Sequence, residues 1–147
     1  MGQTVQNNPL YIKGMSLEGL ESVVAGLGYK KFRGLQLFKW LYKNKESNPS
    51  RMSNLPIELK KNLKQHVLHT LSFDKIQISK NKLTQKFAFK TLDSRVLESV
   101  SMIDGNRHTV CISSQIGCNV DCKFCATATM GFIRNLSVGE IIDQIIM

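Results

Sequence analysis

Residues 118–125 read Cys118-Asn-Val-Asp-Cys122-Lys-Phe-Cys125, and this stretch decides which fold is expected around it. Cubane iron–sulfur clusters are normally held by four cysteine thiolates. Three cysteines within these eight residues can hold three corners of a cube, which leaves one iron open to a small molecule. The spacing therefore predicts a 4Fe–4S cluster with three cysteine ligands: Cys118, Cys122 and Cys125.

A structural zinc site and incidental thiols are the alternatives to a cluster. Zinc usually takes four protein ligands, often with a second Cys-x-x-Cys or a pair of histidines. The nearest further candidates are His108 and Cys111, and both lie in a segment predicted to be a strand. A tight loop presents a tetrahedral zinc site less easily than three corners of a cube, so the pattern favours the cluster.

Composition indicates a globular protein of a reducing compartment. The chain has 147 residues, of which 42% are hydrophobic and 21% charged. This length suffices for one ordinary core, or for a small domain with part of another. Four cysteines, three of them clustered, are typical of metal chemistry rather than of a disulfide framework. With no recognisable secretory signal and no apolar run long enough to span a bilayer, we expect a cytoplasmic protein.

Positive charge is concentrated in one part of the chain. Residues 30–90 contain 15 Lys or Arg and 3 acidic residues, whereas the rest has 5 basic and 8 acidic residues. A local surplus of this size attracts the phosphate backbone of a nucleic acid. A lysine-rich solvated surface is the simpler interpretation, and charge alone leaves both open.

The pattern of apolar residues divides the chain into three segments. Residues 1–71 are expected to form a basic helical accessory domain, because apolar residues recur at helical spacing in three stretches: 16–27, about 32–44 and 56–70. Residues 72–107 alternate and predict a β-strand extension. Residues 108–147 would then contribute a further strand, the cysteine loop and a helix. Four strands are predicted: 73–79, 86–92, 95–103 and 108–114.

The last helix is predicted to begin with a capping box. Ser137 and Glu140 have the required spacing. Its isoleucines form an apolar stripe: Ile141, Ile142, Ile145 and Ile146. The helical pattern reaches Met147 without a cap, glycine or proline, so we expect the sequence to be the front part of a longer protein.

Glu98 interrupts an apolar face of the third predicted strand. Alternation places it between Val96 and Val100. Desolvation among apolar neighbours would favour its protonated form and would suit it to proton transfer. A carboxylate on an exposed sheet face is the simpler interpretation, and the strand pattern alone favours it.

Longer runs of residues resemble one known family. The cysteine spacing is the signature of radical S-adenosylmethionine enzymes. Residues 111–118 (CISSQIGC), 122–127 (CKFCAT) and 131–136 (GFIRNL) resemble the RlmN-type adenine methyltransferases of ribosomal and transfer RNA. Residues 28–33 (GYKKFR) and 36–42 (QLFKWLY) are similar to that family's accessory domain.

The resemblance implies a fold, a reaction and cofactors. The fold would be α/β: a small helical RNA-binding domain, then a β-meander, then the start of a truncated barrel of partial TIM type. The reaction would methylate carbon 2 of adenine in 23S rRNA and tRNA through a methyl-cysteine intermediate. S-adenosylmethionine and a 4Fe–4S cluster would be the cofactors. An electron donor such as flavodoxin, a monomeric state and no membrane association are expected as well.

The resemblance also implies roles for single residues. The three cysteines match the family's cluster ligands, and Phe124 would lie beside the bound cofactor. Glu98 matches a proton-accepting glutamate. Cys111 matches the cysteine that forms a transient disulfide with the methyl-carrying cysteine, which is expected beyond Met147. Taken by itself, Cys111 in a strand would be an ordinary small core residue.

Two rival functions stay open. A related radical enzyme methylates carbon 8 of the same kind of adenine and confers antibiotic resistance, although the longer motifs favour carbon 2. A basic RNA-binding module with structural zinc is the other. Because the methyl-carrying cysteine and most of the cofactor pocket are expected beyond residue 147, we expect this chain to be inactive alone.

Overall fold

The computed structural model describes residues 9–118, 120 and 131–147. They form two compact units, one reaching to His69 and the other beginning at Thr70. The first contains helices, and the second an antiparallel sheet, a short hairpin and one helix. In the described ranges, no helix combines the length and apolar character that crossing a membrane requires.

The first unit contains the three predicted helices. They are α1 (Leu17–Gly26), α2 (Phe32–Phe38), which continues into a π-helical turn (Lys39–Lys43), and α3 (Ile57–Leu63). A 3-10 turn (Pro49–Arg51) precedes α3. Ser16 caps α1 as predicted, because its hydroxyl accepts the Gly19 N–H at 3.2 Å.

The third helix is shorter than predicted. It ends at Leu63, seven residues before the expected end near residue 70. The chain then turns back, and Val67 pairs with the segment around Tyr11. The Val67 carbonyl accepts the Ile12 N–H at 2.9 Å, so these backbone groups are satisfied without a helix.

The core of the first unit is apolar. It is built from these buried residues: Ile12, Leu20, Val24, Leu37, Leu41, Met52, Leu55, Leu59, Leu63 and Leu68. Helices α1 and α2 approach closely at Gly34, where a Cβ would lie 2.6 Å from the Glu21 backbone. In α2, Leu35 is 38% exposed, while Leu37 is fully buried.

The second unit contains the four predicted strands, displaced by one to three residues. They are β1 (Leu71–Ile78), β2 (Thr84–Thr91), β3 (Val96–Asp104) and β4 (Arg107–Cys111). The strands form an antiparallel meander in chain order. One face of the sheet carries a small apolar core that includes Phe89 and Leu97.

A short hairpin was not predicted. It pairs β5 (Gln115–Gly117) with β6 (Phe132–Asn135). The predicted strand over residues 108–114 instead ends at Cys111. Both new strands are too short to show an alternating pattern, and the cysteine loop separates them in sequence.

Helix α4 (Val138–Ile146) has the predicted capping box. The Ser137 hydroxyl accepts the Glu140 backbone N–H, and the Glu140 carboxylate accepts the Ser137 backbone N–H. The side of α4 that is buried within this chain is not the apolar stripe. The residues that α4 buries are Gly139, Glu140, Asp143 and Gln144. Ile145 is 61% exposed, and only Ile141 of the stripe packs on the apolar core.

Polar contacts explain which side of α4 is buried. The Asp143 carboxylate accepts the Thr70 N–H at 2.7 Å and its hydroxyl at 2.8 Å. The Gln144 amide oxygen accepts the Ser99 hydroxyl and the Ser113 N–H. Since each buried polar group has a partner, burying this side costs little.

Candidate cluster loop and catalytic face

The β5–β6 hairpin brings together the two ends of the cysteine loop. The Cys118 N–H donates to the Gly131 carbonyl at 3.2 Å. Gly117 has φ +73°, and a Cβ there would collide with the Gly131 carbonyl oxygen. Gly131 also has a positive φ, of +68°. Both ends of the loop therefore have backbone conformations that favour glycine.

Cys118 is the one predicted cluster ligand within the described ranges. It is a half-buried free thiol, and its Sγ accepts the Val120 N–H at 3.4 Å. Hydrogen bonds to sulfur are one means by which proteins tune iron–sulfur clusters. The surroundings of Cys118 therefore fit a cluster thiolate. The other predicted ligands and the cofactor neighbour lie outside the described residues: Cys122, Cys125 and Phe124.

The described residues contain no group of three or more His, Cys, Asp or Glu side chains that could hold a metal ion. His108 and Cys111, the further zinc candidates, both lie on β4. The His108 ring is paired with the Ser101 hydroxyl at 2.7 Å. Within the described ranges, the zinc alternative therefore has no second set of ligands.

Glu98 lies on the exposed face of the sheet. Its side chain is 55% exposed, and its Oε1 is 3.0 Å from the Lys86 ammonium nitrogen. The carboxylate is therefore not desolvated among apolar neighbours within the described part of this chain, and the simpler interpretation, which the strand pattern favours, describes its surroundings. The cause is the strand register, which places Lys86 one step diagonally across from Glu98 on β2.

Cys111 lies on the same face as Glu98. The strand register pairs it with Val100, which also faces Lys86 on the other neighbouring strand. Glu98, two residues before Val100, is on that face because strand side chains alternate. Cys111 is exposed and free, so it is not a core residue. The sheet thus brings together the predicted proton acceptor and the predicted redox cysteine.

An arginine that sequence reasoning missed lies at the exit of the loop. Arg134 on β6 donates to Asp93 at 2.7 and 3.1 Å, and to Glu140 at 2.8 and 2.9 Å. Hydrogen bonds from Arg134 hold the pKa of Asp93 well below its usual range. Burial opposes ionisation of Glu140, but hydrogen bonds from Arg134 and Ser137 outweigh it and lower the pKa of that carboxyl. The capping box was a signal for Glu140, but nothing in the sequence pointed to Asp93.

The first unit presents a basic surface. Residues 1–69 contain 11 Lys or Arg and 4 acidic residues. Most of these cations are exposed, including Lys30, Lys31, Lys39, Lys43 and Lys45. Trp40 packs against the apolar core, and its indole N–H donates to Asn54 at 2.6 Å. The unit therefore offers charge, rather than this aromatic ring, to a partner.

Comparison with known proteins gives consistent results. Residues 11–68 match the family model described as the ribosomal RNA large subunit methyltransferase N-terminal domain. The dual-specificity RNA methyltransferase RlmN of Geobacter sulfurreducens is 38% identical over 135 residues, covering 91% of this chain and 37% of that protein. The probable dual-specificity RNA methyltransferase RlmN of Symbiobacterium thermophilum is 38% identical over 137 residues, covering 92% and 37%.

A solved structure matches both units. It is the crystal structure of a radical SAM methyltransferase from Sphaerobacter thermophilus, with a TM-score of 0.87 and 34% identity. The match covers 94% of this chain and 41% of that chain. This chain therefore spans well under half the length of the proteins that it matches.

Proposed function

We propose, since the chain belongs to the RlmN family of RNA methyltransferases, that it is the N-terminal part of a radical S-adenosylmethionine enzyme. The proposed reaction is methylation of carbon 2 of adenine in 23S rRNA and tRNA. One observation carries the proposal, namely the 38% identity to a dual-specificity RNA methyltransferase. Because that alignment spans 91% of the chain, it necessarily includes the three cysteines of the loop.

The proposed cofactors are a 4Fe–4S cluster and S-adenosylmethionine. Cys118, Cys122 and Cys125 would hold the cluster, and Phe124 would lie beside S-adenosylmethionine. When bound, the cluster supplies the electron that cleaves S-adenosylmethionine to a radical. Support comes from the hairpin, which closes the loop ends, and from the Val120 N–H that Cys118 accepts.

Radical chemistry suits the proposed target atom. Carbon 2 of adenine lies between two ring nitrogens and is electron-poor, so it offers no nucleophile for ordinary methyl transfer. A carbon radical can add there. Restoring the aromatic ring then requires loss of the proton on carbon 2 and of one electron, for which the cluster, oxidised when it cleaves S-adenosylmethionine, would be the acceptor. We assign that proton transfer to Glu98, whose exposed carboxylate is available to a substrate.

Cys111 is proposed to resolve the methyl-cysteine intermediate. Its exposed thiol would attack the sulfur of a methyl-carrying cysteine located after residue 147, forming a transient disulfide. The bond from that sulfur to the transferred carbon would break, and the carbon, now attached to adenine, would take up the thiol proton and become the methyl group. The register that places Cys111 and Glu98 on one face of the sheet supports roles in the same reaction. In the described residues, both Cys111 and Cys118 are free thiols.

We propose a separate role for each of the three segments of the chain. Residues 1–71 would bind RNA through the basic surface, because its exposed cations suit contacts with phosphates. Residues 72–107 would form the sheet, and residues 108–147 would start a barrel of partial TIM type completed by later residues. We propose a cytoplasmic monomer that receives electrons from a donor such as flavodoxin. The 147-residue chain would be inactive alone because it lacks the methyl-carrying cysteine.

The first test is metal binding by this chain. After anaerobic reconstitution with iron and sulfide, we expect visible absorption and roughly four iron atoms per chain. Cys118→Ala should abolish the iron content, whereas Cys111→Ala is the matched control and should retain it. Bound zinc with no visible absorption would contradict the proposal and favour the zinc-containing module. RNA methylation by the reconstituted chain alone would contradict its proposed inactivity.

The target atom is tested in the protein that continues beyond residue 147. Mass spectrometry of digested RNA should find 2-methyladenosine. Finding 8-methyladenosine instead would favour the carbon 8 enzyme. Glu98→Gln should strongly reduce product formation while leaving the iron content unchanged, because Glu98 is not proposed as a ligand.

A further inference from the structure

Arg134 joins three elements of the second unit, one of which, the turn that carries Asp93, is distant in sequence. Its guanidinium bonds Asp93 in the turn between β2 and β3, and Glu140 in the first turn of α4. Arg134 itself lies on β6, opposite Ile116 in the hairpin register. The strand that leaves the cysteine loop is thus tied to the sheet on one side and to a helix on the other.

The hairpin needs such ties because it is small. β5 has three residues and β6 has four. An isolated two-stranded hairpin is at best marginally stable in water, and shorter strands supply fewer hydrogen bonds. The loop-closing bond between the Cys118 N–H and Gly131 lies at the end of this pair of strands. Without a further anchor, that end is where the hairpin would open first.

The geometry of Arg134 suits an anchor. Four of its hydrogen bonds go to two carboxylates, in the paired arrangement that makes arginine–carboxylate contacts strong and directional. The Glu140 side chain is only 8% exposed, so solvent weakens this part of the network little. Asp93 is 49% exposed, which makes it the weaker of the two partners.

We propose that Arg134 is a positioning residue for cluster binding, which rests on the function proposed above. By fixing β6 against Asp93 and Glu140, it holds together the two ends of the loop that carries the cysteines. Ligands held at a fixed separation lose less conformational freedom when a cluster binds. The expected consequence is slower loss of iron from the assembled cluster.

The test measures cluster loss from the reconstituted chain. Under anaerobic conditions with an excess of a ferrous chelator, the decay of visible absorption gives the release rate. Arg134→Met should release iron about tenfold faster than the unchanged chain, the lower end of losses seen when groups that orient metal ligands are removed. Arg134→Lys and Asp93→Asn should fall between the two, because each keeps part of the network.

Two control variants separate positioning from general stability. Arg107→Met removes the same charge from an exposed position of this unit and should leave the rate unchanged. Thr70→Val removes one hydrogen bond to Asp143, so it loosens α4 without touching the hairpin. Denaturation of the cluster-free variants gives the free energy of unfolding of each, so that the release rates of Arg134→Met and Thr70→Val can be compared at known stability.

The outcomes are distinguishable. Faster release from Arg134→Met than from a Thr70→Val variant of equal or lower stability supports the positioning role. Equal release from Arg134→Met and the unchanged chain overturns it. So does equal release from the Arg134 and Thr70 variants at matched stability. If the unchanged chain takes up no iron at all, the cluster proposal fails, and this inference fails with it.

Discussion

The two units bury their helices in opposite ways. In the first, α1, α2 and α3 meet through apolar side chains, and the fully buried set includes Leu20, Leu37 and Leu59. In the second, α4 buries Glu140, Asp143 and Gln144, while Ile145 is largely exposed. In the first unit, the apolar stripes of the helices are therefore their buried faces. In the second, hydrogen bonds hold α4 against the sheet, and Ile145 of its stripe is not covered by any of the residues that the structure describes.

The largest expected effect tests how much the apolar contacts stabilise the first unit. Leu41→Ala should destabilise the first unit by about 3 kcal/mol, because it removes buried methyl groups and leaves a cavity. Leu35→Ala changes a partly exposed leucine of the same helical segment and should cost less than about 1 kcal/mol. Trp40, the single tryptophan, packs against this core, so its fluorescence reports urea unfolding of the unit. Equal losses for both leucines would contradict the assigned burial.

We expect a smaller loss of stability in the second unit, where polar contacts hold α4. Asp143→Ala should cost about 2 kcal/mol, because the Thr70 N–H and hydroxyl would remain buried without this acceptor. Ile145→Ala, from the predicted apolar stripe, should cost less than about 0.5 kcal/mol. Hydrogen exchange of the β1 amides follows this unit separately. A larger loss for the isoleucine would show that the stripe, rather than the polar side, holds the helix.

Local signals in the sequence predicted much of the fold. Ser16 and the Ser137–Glu140 pair are caps formed within one turn, so their spacing alone predicted them. The change from helical to alternating spacing predicted the meander. The short strands β5 and β6 could not be predicted in this way, because their pairing depends on closing the loop between them.

Partners distant in sequence account for what was missed at the site. Thr70 bonds Asp143 and Asp93 bonds Arg134, and neither pair follows from any repeated spacing. The shared face of Glu98 and Cys111 depends on the register of β3 and β4, which only the folded sheet fixes. The cysteine motif, by contrast, lies within eight consecutive residues, so its spacing alone indicates cluster chemistry.

The smallest expected effect is on the pH dependence of stability in the second unit. Hydrogen bonds from Arg134 and Thr91 lower the pKa of Asp93 below its ordinary 3.8. Burial alone would raise the pKa of Glu140, but hydrogen bonds from Arg134 and Ser137 outweigh it and bring that pKa below its ordinary 4.5. As the pH falls through these ordinary values, the unfolded chain takes up protons before the folded chain does, so the second unit loses stability. The contribution is complete above about pH 5.

In Arg134→Met the carboxyls lose their main partner, so stability should depend less on pH in the acid range. The difference in free energy of unfolding between the unchanged chain and this variant should shrink by about 1 kcal/mol between neutral and strongly acidic pH. The change is this small because solvent screens the half-exposed Asp93 contact. Urea unfolding at a series of pH values, followed by hydrogen exchange of the β2 amides, measures both curves. Arg107→Met should keep the slope of the unchanged chain. Parallel curves for the unchanged chain and Arg134→Met would show that Arg134 does not set the ionisation of these carboxyls.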